Sequence, residues 1–308
     1  MEAGMSKREA KRITLVITVF WLVMLLAGSF FDLQISVRLF TLNEPVSLVV
    51  STVGVYLVNG SFVFLIGALL RQIISSRPGK IKLIIAIIIC TYLAISTASL
   101  GVGGLFNGTV LGSAIGIETV TVKQMITKGF LYFFPLYPIG ILLNGKHYEK
   151  ESILRIICVL FTMTVSFYSM MLVKQLDQRP RFYITLMGYE GIGFREWYTF
   201  KKISEETCQK YGLISDDLGS FFSGHALQAM LNVLIFPCFS CVFPALRNRD
   251  KVLVIIAAAL SVLICLSRIV LGAHYLSDVA FGSLVGIFVI VLFNFLYSKI
   301  KPLVLRDS

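Results

Sequence analysis

The chain has 308 residues, of which 56% are hydrophobic and only 15% charged, and its mean hydropathy is +0.83. Soluble domains carry about 25% charged residues, so a water-soluble fold of this length would leave too much apolar surface exposed. Composition therefore excludes a soluble protein and predicts a single integral membrane domain over residues 1–308. The net charge of +11 is compatible with nucleic-acid binding, with anionic lipid or with basic cytoplasmic loops.

The apolar runs predict an all-α fold, a polytopic transmembrane bundle. A basic N-terminal segment precedes the first run, which is either a signal peptide or, as we favour, a retained helix. A glycine-rich stretch between the third and fourth helices is either a loop or a re-entrant segment, and it contains Gly101, Gly103, Gly104, Gly108, Gly112 and Gly116. The eight predicted helices cover residues 13–32, 47–71, 82–101, 129–143, 153–173, 224–246, 252–270 and 278–298.

Charge distribution predicts the orientation of this bundle. If the N-terminus is cytoplasmic, the inner segments contain 17 of the 28 basic residues and 6 of the 17 acidic ones. The outer segments then contain 11 of each sign, so the entire positive excess lies on the cytoplasmic side, as the positive-inside rule requires. Both termini are predicted to be cytoplasmic, and a nucleic-acid partner is not needed to explain the charge. The longest polar stretch, residues 174–223, lies outside, and its Trp197 and Tyr198 indicate an interfacial or capping loop.

Two other residue types carry weaker signals. Five of the six cysteines lie in apolar runs, and Cys238 and Cys241 form a CxxC pair that lacks a second ligand pair, so we predict packing roles and no disulfide or metal site. His147 lies in a basic inner loop and is predicted to be solvated. Residues 107–109 fit a glycosylation sequon, which is a weak match.

The strongest chemical signal lies around the last predicted turn. His274 and Asp278 are four residues apart and share a helix face, so the carboxylate can accept a hydrogen bond from one imidazole nitrogen. That bond would fix the tautomer and leave the other nitrogen free to attack an electrophile. Arg268 ends the preceding helix, across a turn that contains Gly272, and its guanidinium can grip phosphate oxygens.

A second signal opens the sixth predicted helix. Ser223, Gly224 and His225 stand where backbone amides at a helix N-terminus bind phosphate well, and glycine permits a close approach of the ligand. The Ser223 hydroxyl can add a hydrogen bond, and His225 is placed to protonate a leaving oxygen.

A third signal follows the fifth predicted helix. Lys174 and Arg181 are seven residues apart, and two cations that converge on one phosphoryl group would stabilise its oxygens. Each pattern alone also has a structural explanation: a helix-end lysine is commonly an interfacial anchor, and a lone Ser-Gly-His tripeptide or His-x-x-x-Asp pair is weak evidence. The three patterns gain weight because they fall on the same predicted side of the membrane.

Together these residues resemble the type 2 phosphatidic acid phosphatase superfamily, which includes glucose-6-phosphatase and vanadium haloperoxidases. The family pattern is Lys, six residues, Arg-Pro; then Pro-Ser-Gly-His; then Ser-Arg, five residues, His, three residues, Asp. The third motif is complete here from Ser267 to Asp278, whereas Phe182 and Phe222 stand where the first two motifs usually have proline. The resemblance covers about residues 153–295.

The resemblance implies a core of about six helices and a two-step reaction without metal or other cofactor. His274 would attack phosphorus to give a phosphohistidine, Asp278 would orient it, and His225 would protonate the leaving group and then activate water. The remaining motif residues would bind the phosphoryl group: Lys174, Arg181, Ser223, Gly224 and Arg268. The two phenylalanines are expected to change loop geometry rather than to remove the chemistry.

The leading hypothesis is therefore a membrane lipid phosphatase with its active site on the extracytoplasmic side of a bacterial plasma membrane. Its substrate would be a phospholipid or isoprenoid phosphate: undecaprenyl diphosphate, phosphatidic acid or phosphatidylglycerol phosphate. One alternative is a transferase that passes the phosphoryl group to a sugar or lipid acceptor, and another is a non-catalytic protein that binds or transports lipid. A soluble hydrolase or haloperoxidase is disfavoured because the motifs lie among spanning helices, and the sequence carries no signal for an oligomeric state.

Overall fold

The computed structural model describes residues 6–106, 120–144 and 149–305, and these residues form a bundle of α-helices. His147, the sequon at 107–109 and Gly108, Gly112 and Gly116 lie outside the described residues. The helices are α1 (Lys7–Leu39), α2 (Pro45–Ser75), α3 (Lys80–Phe106), α4 (Val122–Tyr132), α5 (Leu136–Leu143), α6 (Lys150–Leu176), α7 (Phe182–Thr185), α8 (Glu205–Tyr211), α9 (Gly224–Cys238), α10 (Asp250–Val270) and α11 (Leu276–Leu305).

The predicted fold class is confirmed. Within the described residues, eight helical segments are long and apolar enough to cross a bilayer, with α4 and α5 together forming one of them. Large apolar side chains on their outer faces are exposed, among them Leu15, Ile88 and Phe161, each more than 60% exposed. An apolar surface of this kind suits lipid rather than water, so the chain is an integral membrane protein.

Among the described helices, six long ones pack together: α1, α2, α6, α9, α10 and α11. The helices α3, α4 and α5 form an added layer. α9 lies at the centre, where it contacts α2, α6, α10 and α11, and α1 packs along α11. The added layer consists of α3, which packs against α2 and α4, and α5, which packs against α2. This arrangement buries α9 and the first turns of α11, where the histidine motifs lie.

The prediction of one helix over residues 129–143 is wrong. The chain forms α4 from Val122, turns through Phe133–Pro135 and continues as α5, because Pro135 cannot donate the backbone hydrogen bond that a continuous helix needs. α4 begins earlier than predicted because Thr121 and Gln124 form a capping box. The third helix runs on to Phe106, so the first glycines of the predicted loop are helical. A Cβ at Gly101 would lie 2.9 Å from the Phe133 ring, so glycine allows the close packing of α3 against this turn.

The sixth predicted helix, 224–246, is also shorter than expected. α9 ends at Cys238, directly after Pro237, and two short 3-10 turns follow at Phe239–Cys241 and Pro244–Leu246. The two prolines remove backbone donors from the run that hydropathy alone assigns to one helix.

The two ends of the bundle differ in their polar contacts. At one end, ion pairs join neighbouring helix termini: Lys251 to Glu9 at 2.8 Å, Arg247 to Glu149 at 3.0 Å and Lys301 to Glu151 at 2.6 Å. At the opposite end, α6 and α10 finish while α9 and α11 begin, and all three sequence motifs lie there.

Candidate phosphoryl-binding site

The turn between α10 and α11 brings Arg268 and His274 together. Gly272 adopts a φ of +64°, a left-handed conformation that glycine tolerates best, and a Cβ there would lie 2.7 Å from Phe40. The backbone amides of Ala273 and His274 both donate to the Arg268 carbonyl, at 3.0 and 3.2 Å. The turn thus holds His274 close to the C-terminal end of α10.

The Ser-Gly-His motif forms the start of α9. Ser223 is the N-cap residue, and its hydroxyl accepts from the Ala226 amide at 3.3 Å, which still leaves the hydroxyl proton available for donation. Gly224 has a packing role in addition to the predicted approach of a ligand. A Cβ there would lie 2.5 Å from the Met170 sulfur, so the glycine allows α6 to approach closely.

The structure brings the two histidines together. The ring centroids of His225 and His274 are 6.5 Å apart, and the ring planes are inclined by 54°. His274 is only 1% exposed, whereas His225 is partly exposed. Residues separated by about fifty positions in the chain therefore face one small volume at the end of the bundle.

The direct hydrogen bond expected between His274 and Asp278 is absent. His274 Nδ1 lies 4.0 Å from the Asp278 carboxylate and instead 2.7 Å from the backbone carbonyl of Ser220. Because a carbonyl only accepts, Nδ1 must carry the proton, and Nε2 keeps its lone pair. The Ser220 hydroxyl donates to Asp278 at 2.5 Å, so Ser220 lies between the carboxylate and the histidine.

Three cations surround the histidines. The Lys174 ammonium donates to the Gly219 carbonyl at 2.7 Å, Arg181 pairs with Asp216 at 2.6 Å, and Arg268 donates to the Ser51 hydroxyl at 2.8 Å. Both arginines are buried, at 3% and 2% exposure. Within the described ranges, Lys174 and Arg268 have no carboxylate partner.

The two buried guanidinium groups keep unused donors. Nε and Nη1 of Arg181 and Nε and Nη2 of Arg268 have no hydrogen-bond partner among the described residues. Buried polar groups are nearly always hydrogen-bonded, and a buried charge without a partner is costly. These donors are available to a ligand that offers acceptor oxygens.

The same charges control the protonation of His274. Burial lowers the pKa of His274 well below its usual value, and the positive charges of Arg181, Lys174 and Arg268 lower it further. The imidazole is therefore neutral at neutral pH, which is the state a nucleophile requires.

Sequence reasoning missed the residues that hold Asp278. Arg179 donates to Asp278 at 2.5 Å and to Asp32 of α1 at 2.9 Å, and all three side chains are buried. The signals were modest: Arg179 precedes a proline in the first motif, and Asp32 is a carboxylate at the end of an apolar run. Asp216, the partner of Arg181, had no signal that distinguished it from other polar loop residues.

The two phenylalanines that replace the usual prolines are buried in aromatic clusters. Phe182 begins α7 and packs against Phe40 and Tyr275, with ring centroids 5.3 and 6.1 Å away. Phe222 packs against Phe281 at 5.7 Å. Aromatic packing thus stabilises both turns, whereas the usual proline would stabilise them by restricting φ.

The long polar segment, residues 174–223, contacts the end of the bundle through Trp197. The Trp197 indole donates to the Ser29 hydroxyl of α1 at 2.8 Å, and its ring stacks on Phe221 at 5.9 Å. Tyr198, by contrast, is 55% exposed. The predicted capping role therefore applies to Trp197 and not to Tyr198.

Comparison with known proteins identifies the domain that contains the three motifs. Residues 154–301 match the sequence model of the PAP2 superfamily. The chain is similar to phosphatidylglycerophosphatase B of Bacillus subtilis (strain 168), with 31% identity over 93 residues, which covers 29% of this chain and 44% of that protein. The matched stretch thus spans less than half the length of this relative, and no solved structure matches the chain significantly. All three motifs fall within the family match, and the chain therefore carries a PAP2 superfamily domain over residues 154–301.

Proposed function

We propose that this protein is a membrane lipid phosphatase that works through a phosphohistidine on His274. The observation that carries the proposal is the set of unpaired donors on Arg181 and Arg268 beside two histidines. A phosphoryl group is an anion with three oxygens that matches several converging N–H donors. The Lys174 ammonium and the first-turn amides of α9 add to the same positive site.

In the first step, the Nε2 lone pair of His274 forms a bond to phosphorus. The bond from phosphorus to the leaving oxygen breaks, and its electron pair stays on that oxygen. His225 supplies the proton, which it takes up when the negative phosphate offsets the charge of the neighbouring cations. The Nδ1 proton of His274 remains bonded to the Ser220 carbonyl and holds the positive ring that forms. The cations stabilise the phosphoryl oxygens as charge develops on them.

In the second step, His225 takes a proton from water while the water oxygen bonds to phosphorus. The nitrogen–phosphorus bond breaks, its electron pair returns to His274, and inorganic phosphate leaves. The 6.5 Å between the ring centroids supports a shared substrate, with His274 on the phosphorus and His225 on the leaving oxygen or the water.

A cleft between α2 and α3 supports a lipid as the substrate. Its lining includes His225 and Arg268 beside side chains of both helices. Its walls include Leu48 and Val55 of α2 and Leu105 of α3, which suit the chain of a lipid whose leaving oxygen faces His225. The name of the Bacillus relative favours phosphatidylglycerol phosphate, alongside phosphatidic acid and undecaprenyl diphosphate.

We further propose that the site faces away from the cytoplasm of a bacterial plasma membrane and that both termini are cytoplasmic. The excess of basic residues supports this orientation, because it lies at the end of the bundle with the three ion pairs and the site lies at the other. The PAP2 domain at residues 154–301 would supply the motifs, while α1 and α2 complete one membrane domain around them.

The proposal is tested with purified protein in detergent and an excess of chelator. We expect phosphate release from at least one of the three lipids, incorporation of one ¹⁸O atom from labelled water into the phosphate, and an acid-labile phosphoprotein after rapid quenching. Incorporation of label only into an added acceptor would favour the transferase. No turnover of any of the lipids would contradict the phosphatase.

The charges around His274 predict a particular pH dependence. Because the pKa of His274 is lowered, the midpoint of the acid limb of kcat/KM should lie well below pH 6.5. Bound phosphate neutralises the cations that lower this pKa, so the acid limb of kcat should lie at a higher pH than that of kcat/KM. Initial rates over a pH series measure both limbs, and a kcat limb at or below the kcat/KM limb would contradict this electrostatic account.

A further inference from the structure

The structure assigns a positioning residue outside the family-matched range: we infer that Asp32 of α1 holds Arg179 and the start of α11 so that Ser220 orients His274. This inference rests on the proposed function for its kinetic consequence. Asp32 does not face the phosphoryl site, and it acts through other residues.

Asp32 is a buried carboxylate that accepts hydrogen bonds from Arg179 and Ser277. Its side chain is fully buried, and its two oxygens accept from the backbone amide of Ser277 at 2.9 Å, from the Ser277 hydroxyl and from Arg179 Nη2 at 2.9 Å. The bond to the Ser277 amide satisfies a first-turn donor of α11, the helix that carries Asp278. Asp32 therefore fixes both the guanidinium and the start of α11.

The contacts continue from Arg179 to the proposed nucleophile. Arg179 Nη1 donates to one oxygen of Asp278 at 2.5 Å, and the other Asp278 oxygen accepts from the Ser220 hydroxyl at 2.5 Å. The Ser220 carbonyl then accepts from His274 Nδ1 at 2.7 Å. The Ser220 amide also donates to the Arg179 carbonyl at 3.0 Å, so the two residues are joined by backbone as well as side chain.

Arg179 has two acidic partners, and the position of its guanidinium depends on both. Arg179 lies between Asp32 and Asp278, which bind different edges of its guanidinium, and the Tyr275 ring lies 4.2 Å from the guanidinium carbon. Without the Asp32 charge, one edge of a buried guanidinium would lose its partner, and the group would shift toward Asp278. Asp278 would then hold Ser220, and through it His274, less firmly in one orientation.

A glycine in α1 allows this helix to pack closely against the start of α11. A Cβ on Gly28, one turn before Asp32, would lie only 2.6 Å from the Ser277 backbone nitrogen. Glycine therefore lets the backbone of α1 contact the start of α11. The bond from Trp197 to Ser29 fastens the same turn of α1 to the long polar segment.

The test compares Asp32→Asn with Ser36→Ala, a matched control in the same helix. Ser36 is fully buried, and its hydroxyl has no partner in the part of the chain that the structure describes. We expect Asp32→Asn to lower kcat by about 10- to 100-fold with KM within about twofold, while Ser36→Ala keeps the parent kcat. A kcat within about twofold of the parent in a folded Asp32→Asn protein would overturn the inference.

A spectroscopic readout separates this inference from the proposed function. The chain has three histidines, so ¹⁵N-histidine NMR in detergent can assign His274 by the loss of its signals in His274→Gln. The parent should carry the His274 proton on Nδ1, and Asp32→Asn should reduce that fraction. If the parent hydrolyses no lipid, the proposed function fails and this tautomer shift alone decides the inference; an unchanged tautomer overturns it.

Ser277→Ala serves if Asp32→Asn does not fold. It removes one hydroxyl between Asp32 and Arg179 and leaves both charges in place. We expect a severalfold loss of kcat with KM unchanged and a smaller tautomer shift of the same direction. A kcat and a His274 tautomer fraction equal to those of the parent would overturn the inference. A rise in KM that matches the fall in kcat would also overturn it, because that result indicates general disruption of the site.

Discussion

His274→Gln is expected to reduce phosphate release from the preferred lipid by at least about 10⁴-fold. The substitution removes the imidazole nitrogen that attacks phosphorus, while the glutamine keeps a neutral polar side chain of similar length. The residual rate comes from the cations alone, because they polarise the phosphoryl group for direct attack by water. Initial rates in detergent measure the loss, and rapid acid quenching should detect no phosphoprotein.

The matched control is His147→Gln, which alters the histidine in the predicted inner loop and should keep the parent rate. Lipid binding to His274→Gln should remain within a fewfold of the parent, because the arginines that provide the unpaired donors are unchanged. Equal phosphate release from His274→Gln and the parent would remove His274 from the nucleophilic role. A labelled phosphoprotein in the variant would place the covalent bond on another residue.

Hydropathy predicted the fold because a spanning helix needs about 20 apolar residues, a requirement that local sequence displays directly. It failed where an apolar run contains a turn. The run around Pro135 is apolar on both sides, so the break between α4 and α5 depends on the proline rather than on hydropathy. The run from 224 to 246 is also interrupted at a proline, because Phe243 is held in an extended conformation before Pro244.

The candidate site was predictable where its residues form fixed spacings. His274 and Arg268 belong to one motif, and a single turn brings them together. The contact from Asp32 to Arg179 joins residues 147 positions apart, and no local pattern reveals which buried carboxylate meets which arginine. The His274–Asp278 spacing even suggested the wrong hydrogen bond, because the backbone carbonyl of Ser220 lies closer to Nδ1 than the carboxylate does.

Arg268→Gln should lower kcat by about 10²- to 10³-fold, the effect of losing donors to charge that develops in the transition state. Arg268 bonds to Ser51 of α2 through Nη1, and Nε and Nη2 remain for the phosphoryl oxygens. Glutamine keeps a polar side chain near Ser51 but removes the charge and the two-pronged donor edge. Arg268→Lys should recover only part of the loss, because an ammonium cannot reproduce the planar fork.

The control for Arg268 is Arg38, an exposed arginine in the last turn of α1. If helix-end arginines in this protein only anchor the bundle at the membrane surface, Arg38→Gln and Arg268→Gln should have similar and small effects. A phosphoryl-binding role instead predicts parent activity for Arg38→Gln and the large loss for Arg268→Gln. Inhibition by orthovanadate, whose bound form resembles the five-coordinate phosphorus of the reaction, adds a measurement independent of turnover. Arg268→Gln should weaken vanadate binding more than it raises KM, because the donors of Arg268 bind most strongly to the transition state; equal weakening of both would assign Arg268 to ground-state binding alone.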